Sequence, residues 1–244
     1  MSAEADIREA GGVSFGREAW RRIWASRAAR ACLAVLAVFC LAALAGELAN
    51  AWFAWRDVPA PWQAQNLAAR YLPPCAAHWL GTDGLGRDVG LRLVQGARIA
   101  FQVGVISSLI AIPLGVLLGC LGGYFGGKTD DFVIWLSTTF AAIPGLLFVL
   151  AIAMVVGKGL LGVFLAIGLT TWVGTCRLIR AETLRQKERG YVRAARALGF
   201  SHGRILFRHI LPNVVHVALV SFTLRFPAAI GTEVFLSFLG IGAQ

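Results

Sequence analysis

The sequence predicts an all-α protein, a polytopic transmembrane helix bundle with five spans, and three observations predict it. Of the 244 residues, 57% are hydrophobic and only 15% are charged, against roughly 25% charged in an average soluble domain. The apolar residues are gathered into long blocks almost free of charge, and about 20 such residues suffice for a helix to cross a bilayer. A backbone inside lipid must satisfy its own hydrogen bonds, which a helix does and an open chain does not.

Taken in order, residues 1–27 form a basic leader, with Arg8, Arg17, Arg21, Arg22 and Arg27 ahead of the first apolar block. Residues 28–46 form an anchor helix. Ala43-Leu44-Ala45 resembles a cleavage site, but a basic leader of this length and the spans that follow favour an uncleaved anchor. Residues 47–98 form a long loop. The remainder, 99–244, holds spans at 99–121, 132–156, 160–176 and 214–236, the first two without a charged side chain. Pro113 and Pro144 lie inside spans and are expected to face protein, since neighbouring helices can repair a lost hydrogen bond and lipid cannot. The glycines from Gly115 to Gly119 favour close helix packing.

Orientation follows from the Lys and Arg residues near span ends. With the leader inside, alternation puts 47–98 outside, 122–131 inside, 156–159 outside and 177–213 inside. Nine basic residues lie between Arg177 and Arg208, so both strongly basic regions fall on one side. The net charge of +10 is thereby explained by topology, with no need of nucleic acid as a partner. Five cysteines show no metal-ligand spacing, and Cys32, Cys40, Cys120 and Cys176 sit in or beside apolar blocks. No metal site is expected.

The stretch Gly122-Gly123-Tyr124-Phe125-Gly126-Gly127-Lys128-Thr129 fits the phosphate-binding pattern GxxxxGK[ST]. That motif works only where a strand delivers the loop and a helix follows. Here a span lies on each side, so the glycines read as a tight inter-helix turn, with Asp130 and Asp131 opening the next helix. No catalytic residue and no bound cofactor are expected on this chain.

The informative region is 177–213. Tyr191 to Gly199 reads as a short helix ended by Gly199. A second helical piece, 201–210, takes Ser201 as its N-cap and stops at Leu211-Pro212-Asn213. The result is a helix, turn, helix elbow between two spans, stiff enough to pass force from a partner, with small alanines allowing close approach. The duller reading is a basic amphipathic loop resting on anionic lipid.

These residues resemble the EAA loop of ABC-importer permeases. Ala194-Ala195, Gly199 four positions on and the terminal Leu211-Pro212 match its spacing, with Arg193 in the glutamate position and His209 in the isoleucine position as departures. Arg-Ala-Ala-Arg-Ala-Leu-Gly (193–199), Arg-His-Ile-Leu-Pro-Asn (208–213), His78-Trp79-Leu80-Gly81-Thr82-Asp83-Gly84-Leu85-Gly86-Arg87-Asp88 and Phe238-Leu239-Gly240-Ile241-Gly242 resemble the dipeptide and oligopeptide branch. The resemblance covers roughly residues 75–244; the earlier part matches only as a basic leader and one anchor.

The resemblance implies a type I ABC-importer permease in a bacterial cytoplasmic membrane, N-terminus cytoplasmic, importing di- or oligopeptides by alternating access. It implies a homologous permease subunit, two cytoplasmic ATPase subunits and an extracytoplasmic binding protein as partners, with ATP and Mg on the ATPases. It implies ATPase-coupling roles for Arg193, Ala194, Ala195, Gly199, Leu211 and Pro212, and one further span beyond Gln244. The segment around Thr82 and Asp83 reads as a turn and short outer helix rather than a ligand site.

Arg225 lies near the middle of the last span and is a candidate for the pathway or a subunit interface, because charges at membrane depth are costly. Glu233 reads as solvated near the outer surface. A same-branch permease for nickel, opines or another small solute is a rival reading. A self-contained secondary transporter is a second, but it calls for mid-depth carboxylates that the spans lack.

Overall fold

The computed structural model describes Arg21 and residues 24–157 and 159–242; most of the basic leader lies outside the described residues. Among the described residues are a short 3-10 turn at Leu67–Ala69 and the α-helices α1 (Arg27–Arg56), α2 (Val89–Phe125), α3 (Gly127–Ala142), α4 (Gly145–Val156), α5 (Leu160–Lys187), α6 (Gly190–Ala197) and α7 (His202–Phe238). Extended pairing among the described residues is limited to one isolated bridge, Thr82 with Asp88. The chain divides into compact units at Arg98 and Ile99, a point within α2.

In the first unit, α1 starts where the Ser26 hydroxyl accepts from the amide of Ala29 at 3.3 Å. It runs ten residues beyond the predicted end at 46, and its last turns carry Trp52, Phe53 and Trp55. Arg56 sits 4.9 Å over the Trp52 ring, and Trp62 packs edge-on against Phe53 at 5.4 Å. Such aromatic clusters belong at a membrane–water boundary. Most of α1 is exposed, and an apolar surface of that length needs lipid or another apolar face to cover it.

Between α1 and α2 the chain is built on carboxylates. One Asp83 oxygen accepts from the amides of Leu85 and Arg87 at 2.8 and 3.0 Å, the other from the side chains of Arg87 and Arg92 at 2.9 and 2.6 Å. Asp88 caps α2 by accepting from the amide of Leu91 at 2.9 Å, and its second oxygen meets His78 Nδ1 at 2.8 Å. The backbone donors, Arg87 first, hold the Asp83 carboxyl far below the usual range; His78 does the same, less strongly, for Asp88. Gly86 is left-handed at φ +71°, and a Cβ there would overlap the Asn66 carbonyl.

In the second unit, α2 and α5 touch backbone to backbone. A Cβ on Gly115, Gly119 or Gly123 would lie 2.9, 2.6 and 2.8 Å from the carbonyl oxygens of Trp172, Cys176 and Arg180. Spacing of four residues puts all three glycines on one helical stripe, and small residues at such a stripe let helices approach in lipid. At one end of the contact α5 is also tied to α3, where Arg180 donates to both oxygens of Asp130 at 2.5 Å.

The expected span at 132–156 is a broken one: α3 and α4 meet at 91°. Pro144 forces its predecessor out of the α region, and Ile143 is extended at φ −83°, ψ 130°. At 16 and 12 residues, the halves are about 24 and 18 Å long, each short of the roughly 30 Å hydrocarbon core. Pro113 and Pro144 are both exposed on this chain. Pro113 stays inside α2 and lines a pocket with Leu206, Phe207 and Leu211 of α7.

The second helical piece of the elbow does not stop at Leu211-Pro212: α7 runs unbroken from His202 to Phe238. A proline ring clashes with the carbonyl four residues back and offers no amide. The helix absorbs this by widening to a π-helical stretch over Ile205–Ile210, where the amide of Leu211 bonds to the Leu206 carbonyl. Asn213 Nδ2 donates to the His209 carbonyl at 2.6 Å, meeting part of the remaining demand.

Candidate functional site

The segment joining α5 to α7 is fully ordered into an elbow. Helix α6 ends as its sequence predicts. Gly199 is left-handed at φ +73°, its amide donates to the Arg196 carbonyl at 2.9 Å, and that of Phe200 donates to the Ala195 carbonyl at 3.1 Å. This pair of reversed bonds is the Schellman stop, which favours glycine at that position. Ser201 then caps α7, accepting from the amide of Arg204 at 3.4 Å.

One face of α6 is fixed to the bundle. Val192 and Ala195 are buried with Ile205, Leu206, Ile210 and Val214 of α7, Ile179 of α5, and Cys120 and Tyr124 of α2. Alanine at 195 leaves room for this packing, so the two adjacent alanines divide: Ala195 faces inward and Ala194 is exposed. Arg193, Ala197 and Leu198 share the exposed side, Leu198 at 73%. Leu211 packs at the edge of the cluster, while Pro212 is exposed.

Polar contacts brace the elbow from both sides. Tyr124 is 3% exposed, and its hydroxyl lies 2.9 Å from His202 Nδ1, with Arg196 stacked over its ring at 5.6 Å. Phe200 stacks on His209 with centroids 5.8 Å apart. At the end of α5, Glu182 accepts from Arg185 and Gln186 at 2.8 and 2.7 Å, and Tyr191 donates to Gln186 Oε1 at 2.9 Å. Partial burial pushes the Tyr191 phenol up. Tyr124 and His202 carry no signal of this role in the sequence, since they lie on two helices and meet only in the fold, and Gln186 carries none because its partner Tyr191 lies past the end of α5.

The phosphate-motif look-alike is no phosphate cradle. Gly122 to Phe125 are the last residues of α2, Gly126 makes the turn and α3 begins at Gly127. Gly122 and Gly123 are packed against α3 and α5, while Lys128 is exposed. Asp130 opens α3 as expected. The segment from Gly81 to Asp88 is a structural turn, but no separate outer helix forms in it; the helix that follows is α2 itself.

Arg225 lies within α7 and is half-buried, Nε donating to the Thr175 hydroxyl at 2.7 Å. Glu233 is 7% exposed and accepts from the Ser237 hydroxyl at 2.6 Å, so it is buried rather than solvated. The hydroxyl one turn on supplies what water was expected to supply. Phe238 to Gly242 form a second Schellman stop, Gly240 and Ile241 donating to Ser237 and Leu236 at 3.0 Å each.

Comparison with known proteins agrees on what this architecture is similar to. Residues 111–244 match the family described as binding-protein-dependent transport system inner membrane component. Residues 14–74 match the N-terminal TM domain of oligopeptide transport permease C, so the early part resembles that branch in sequence and not only as an anchor. The dipeptide transport system permease protein DppC of Bacillus subtilis (strain 168) is 37% identical over 241 residues, 99% of this chain and 73% of its own length. The oligopeptide transport system permease protein OppC of the same organism is 40% identical over 177 residues, 72% and 58% of the two chains. The glutathione transport system permease protein GsiD of Pectobacterium atrosepticum is 36% identical over 235 residues, 93% and 73%.

Proposed function

Because the chain belongs to the family of binding-protein-dependent transport system inner membrane components, as a transmembrane permease subunit of an ABC importer, we propose that its cargo is di- or oligopeptides. The support is that relatives similar along nearly the whole chain carry dipeptide and glutathione names, and one similar along 72% of it carries an oligopeptide name. The membrane is the bacterial inner membrane, with the N-terminus cytoplasmic, as the basic residues of the leader and of 177–213 favour.

The observation that carries the coupling mechanism is the two-faced α6. Its inner face is held by the core through Val192 and Ala195, and its outer face offers Arg193, Ala194 and Leu198. An ATPase subunit that binds the outer face pushes on α5 and α7 together, because the inner face is packed on both. ATP and Mg sit on two such ATPases, a homologous permease completes the pathway, and an external binding protein delivers cargo. ATP-driven closure displaces the elbow, and the spans reorient to open the pathway on the opposite side.

The test is co-purification with the ATPase subunits encoded beside it, for the native chain and for Ala194→Trp and Ala195→Trp. Ala194→Trp is expected to abolish co-elution and ATP-driven peptide uptake while the permease still inserts. Ala195→Trp is expected to destabilise the permease itself. Co-elution unaffected by Ala194→Trp refutes the outer face as the docking site.

A further inference from the structure

Arg225 is held well inside α7 with no carboxylate to answer it. It is fourteen residues from Leu211, where the span begins, and thirteen from Phe238, about 20 Å from each of those residues at the helical rise. Among the described residues its guanidinium donates through Nε to the Thr175 hydroxyl, and no carboxylate lies within ion-pair distance of it. A cation at that depth calls for a counter-charge or water.

Beside it is a cavity of about 50 Å³ between α2, α5 and α7, lined by Arg225, Ser107, Ser108, Thr171 and Thr232 among others. A single water needs only roughly 10–15 Å³, so a few heavy atoms fit. Ser107, Thr171 and Thr232 donate to carbonyls of their own helices. Ser108 differs: it is 2% exposed and its hydroxyl has no hydrogen-bond partner. A buried hydroxyl left unanswered is costly unless something occupies the space it faces.

We propose that this cavity is a site for one carboxylate group, bound by the Arg225 guanidinium and the Ser108 hydroxyl. An anion supplies both deficits at once, a counter-charge for the arginine and an acceptor for the serine. Water supplies an acceptor but no charge. Resting on the peptide-import reading above, the carboxylate that arrives there is the C-terminus of a transported peptide.

The experiment uses the permease in its complete complex, with formate as the probe and isethionate, too bulky for the cavity, at matched ionic strength. Formate is expected to raise the thermal unfolding midpoint saturably, isethionate not. Arg225→Gln and Ser108→Ala should each weaken formate binding tenfold or more, the second serving if the first fails to assemble. A dipeptide should displace formate, and its C-terminal amide should not. Equal responses to the two anions, or a formate response unchanged in both variants, overturn the site while leaving peptide import standing. Formate binding that depends on Arg225 and Ser108, in a complex showing no ATP-driven peptide uptake, overturns the import reading and supports the site alone.

Discussion

Replacing Gly199 by alanine isolates the backbone of the elbow from its side chains. An alanine Cβ at 199 meets nothing within 4 Å, so the change introduces no clash; the whole penalty comes from φ +73°. A residue with a Cβ in the left-handed region loses roughly 1–2 kcal/mol, a factor of about 5–30 in the local opening equilibrium. That loss falls on the amides of 199 and Phe200, which donate to Arg196 and Ala195. Their hydrogen exchange is expected to quicken by that factor, while amides of the α2–α5 contact keep their protection. Gly199→Asn should recover most of the loss, because asparagine tolerates the left-handed region. Gly203 has equally open surroundings but no left-handed φ, so Gly203→Ala should be neutral or stabilise by about 0.5–1 kcal/mol. ATP-driven uptake should fall in the order native, Asn, Ala at 199. If alanine and asparagine at 199 exchange alike, or if Gly203→Ala loosens the elbow as much, the argument from backbone handedness fails.

Gly119→Ala sets a Cβ 2.6 Å from the Cys176 carbonyl, an atom that can move only if α5 moves; unfolding in detergent should show a loss of about 1–3 kcal/mol, the usual range for overpacking. Asp130→Asn removes the charge from the doubly bonded Arg180 and should cost about 1.5–3 kcal/mol by the same assay. Tyr124→Phe keeps the ring under Arg196 and loses the His202 bond; about 0.5–1.5 kcal/mol of elbow protection should go. The turn around Asp83 and Asp88 should depend on pH with a defined sign. Both carboxyls are held below their ordinary values, so their contribution is complete above the unfolded range near pH 4 and is lost as pH falls through the lower folded values. Hydrogen exchange of Leu85 and Leu91 amides should therefore be flat from pH 8 to 5, once corrected for intrinsic rates, and rise in stronger acid. A rise that begins near neutrality contradicts that assignment.

Much of the fold was readable because its determinants are local. Apolar blocks located the spanning helices, Gly199 marked the end of α6, Ser201 marked the start of α7, and the spacing around Ala194-Ala195 pointed to the elbow. The misreadings share a cause, since each turned on partners distant in sequence or on a balance between a local rule and packing. Pro144 breaks the chain and Pro212 does not, although both are prolines beside apolar runs; Asn213 and a widened turn rescue the second. Ala194 and Ala195 look alike as letters, and only the helix phase against Ile179 and Val214 separates them. Nothing in the sequence shows that Ser237 turns toward Glu233 and takes the place of water. The Tyr124, Arg196 and His202 cluster joins residues up to 78 positions apart, beyond the reach of any periodicity.

The wide turn at Ile205–Ile210 also fixes a direction. Each residue advances an α-helix by about 100°, and a π turn holds one residue more than its α counterpart. Everything on the N-terminal side of that turn is therefore rotated by about that angle relative to a helix lacking it. The azimuth at which α6 leaves the bundle is thus encoded not in α6 but in a single supernumerary residue ahead of Pro212, and homologues that differ there by one position would aim the same motif at a different quadrant.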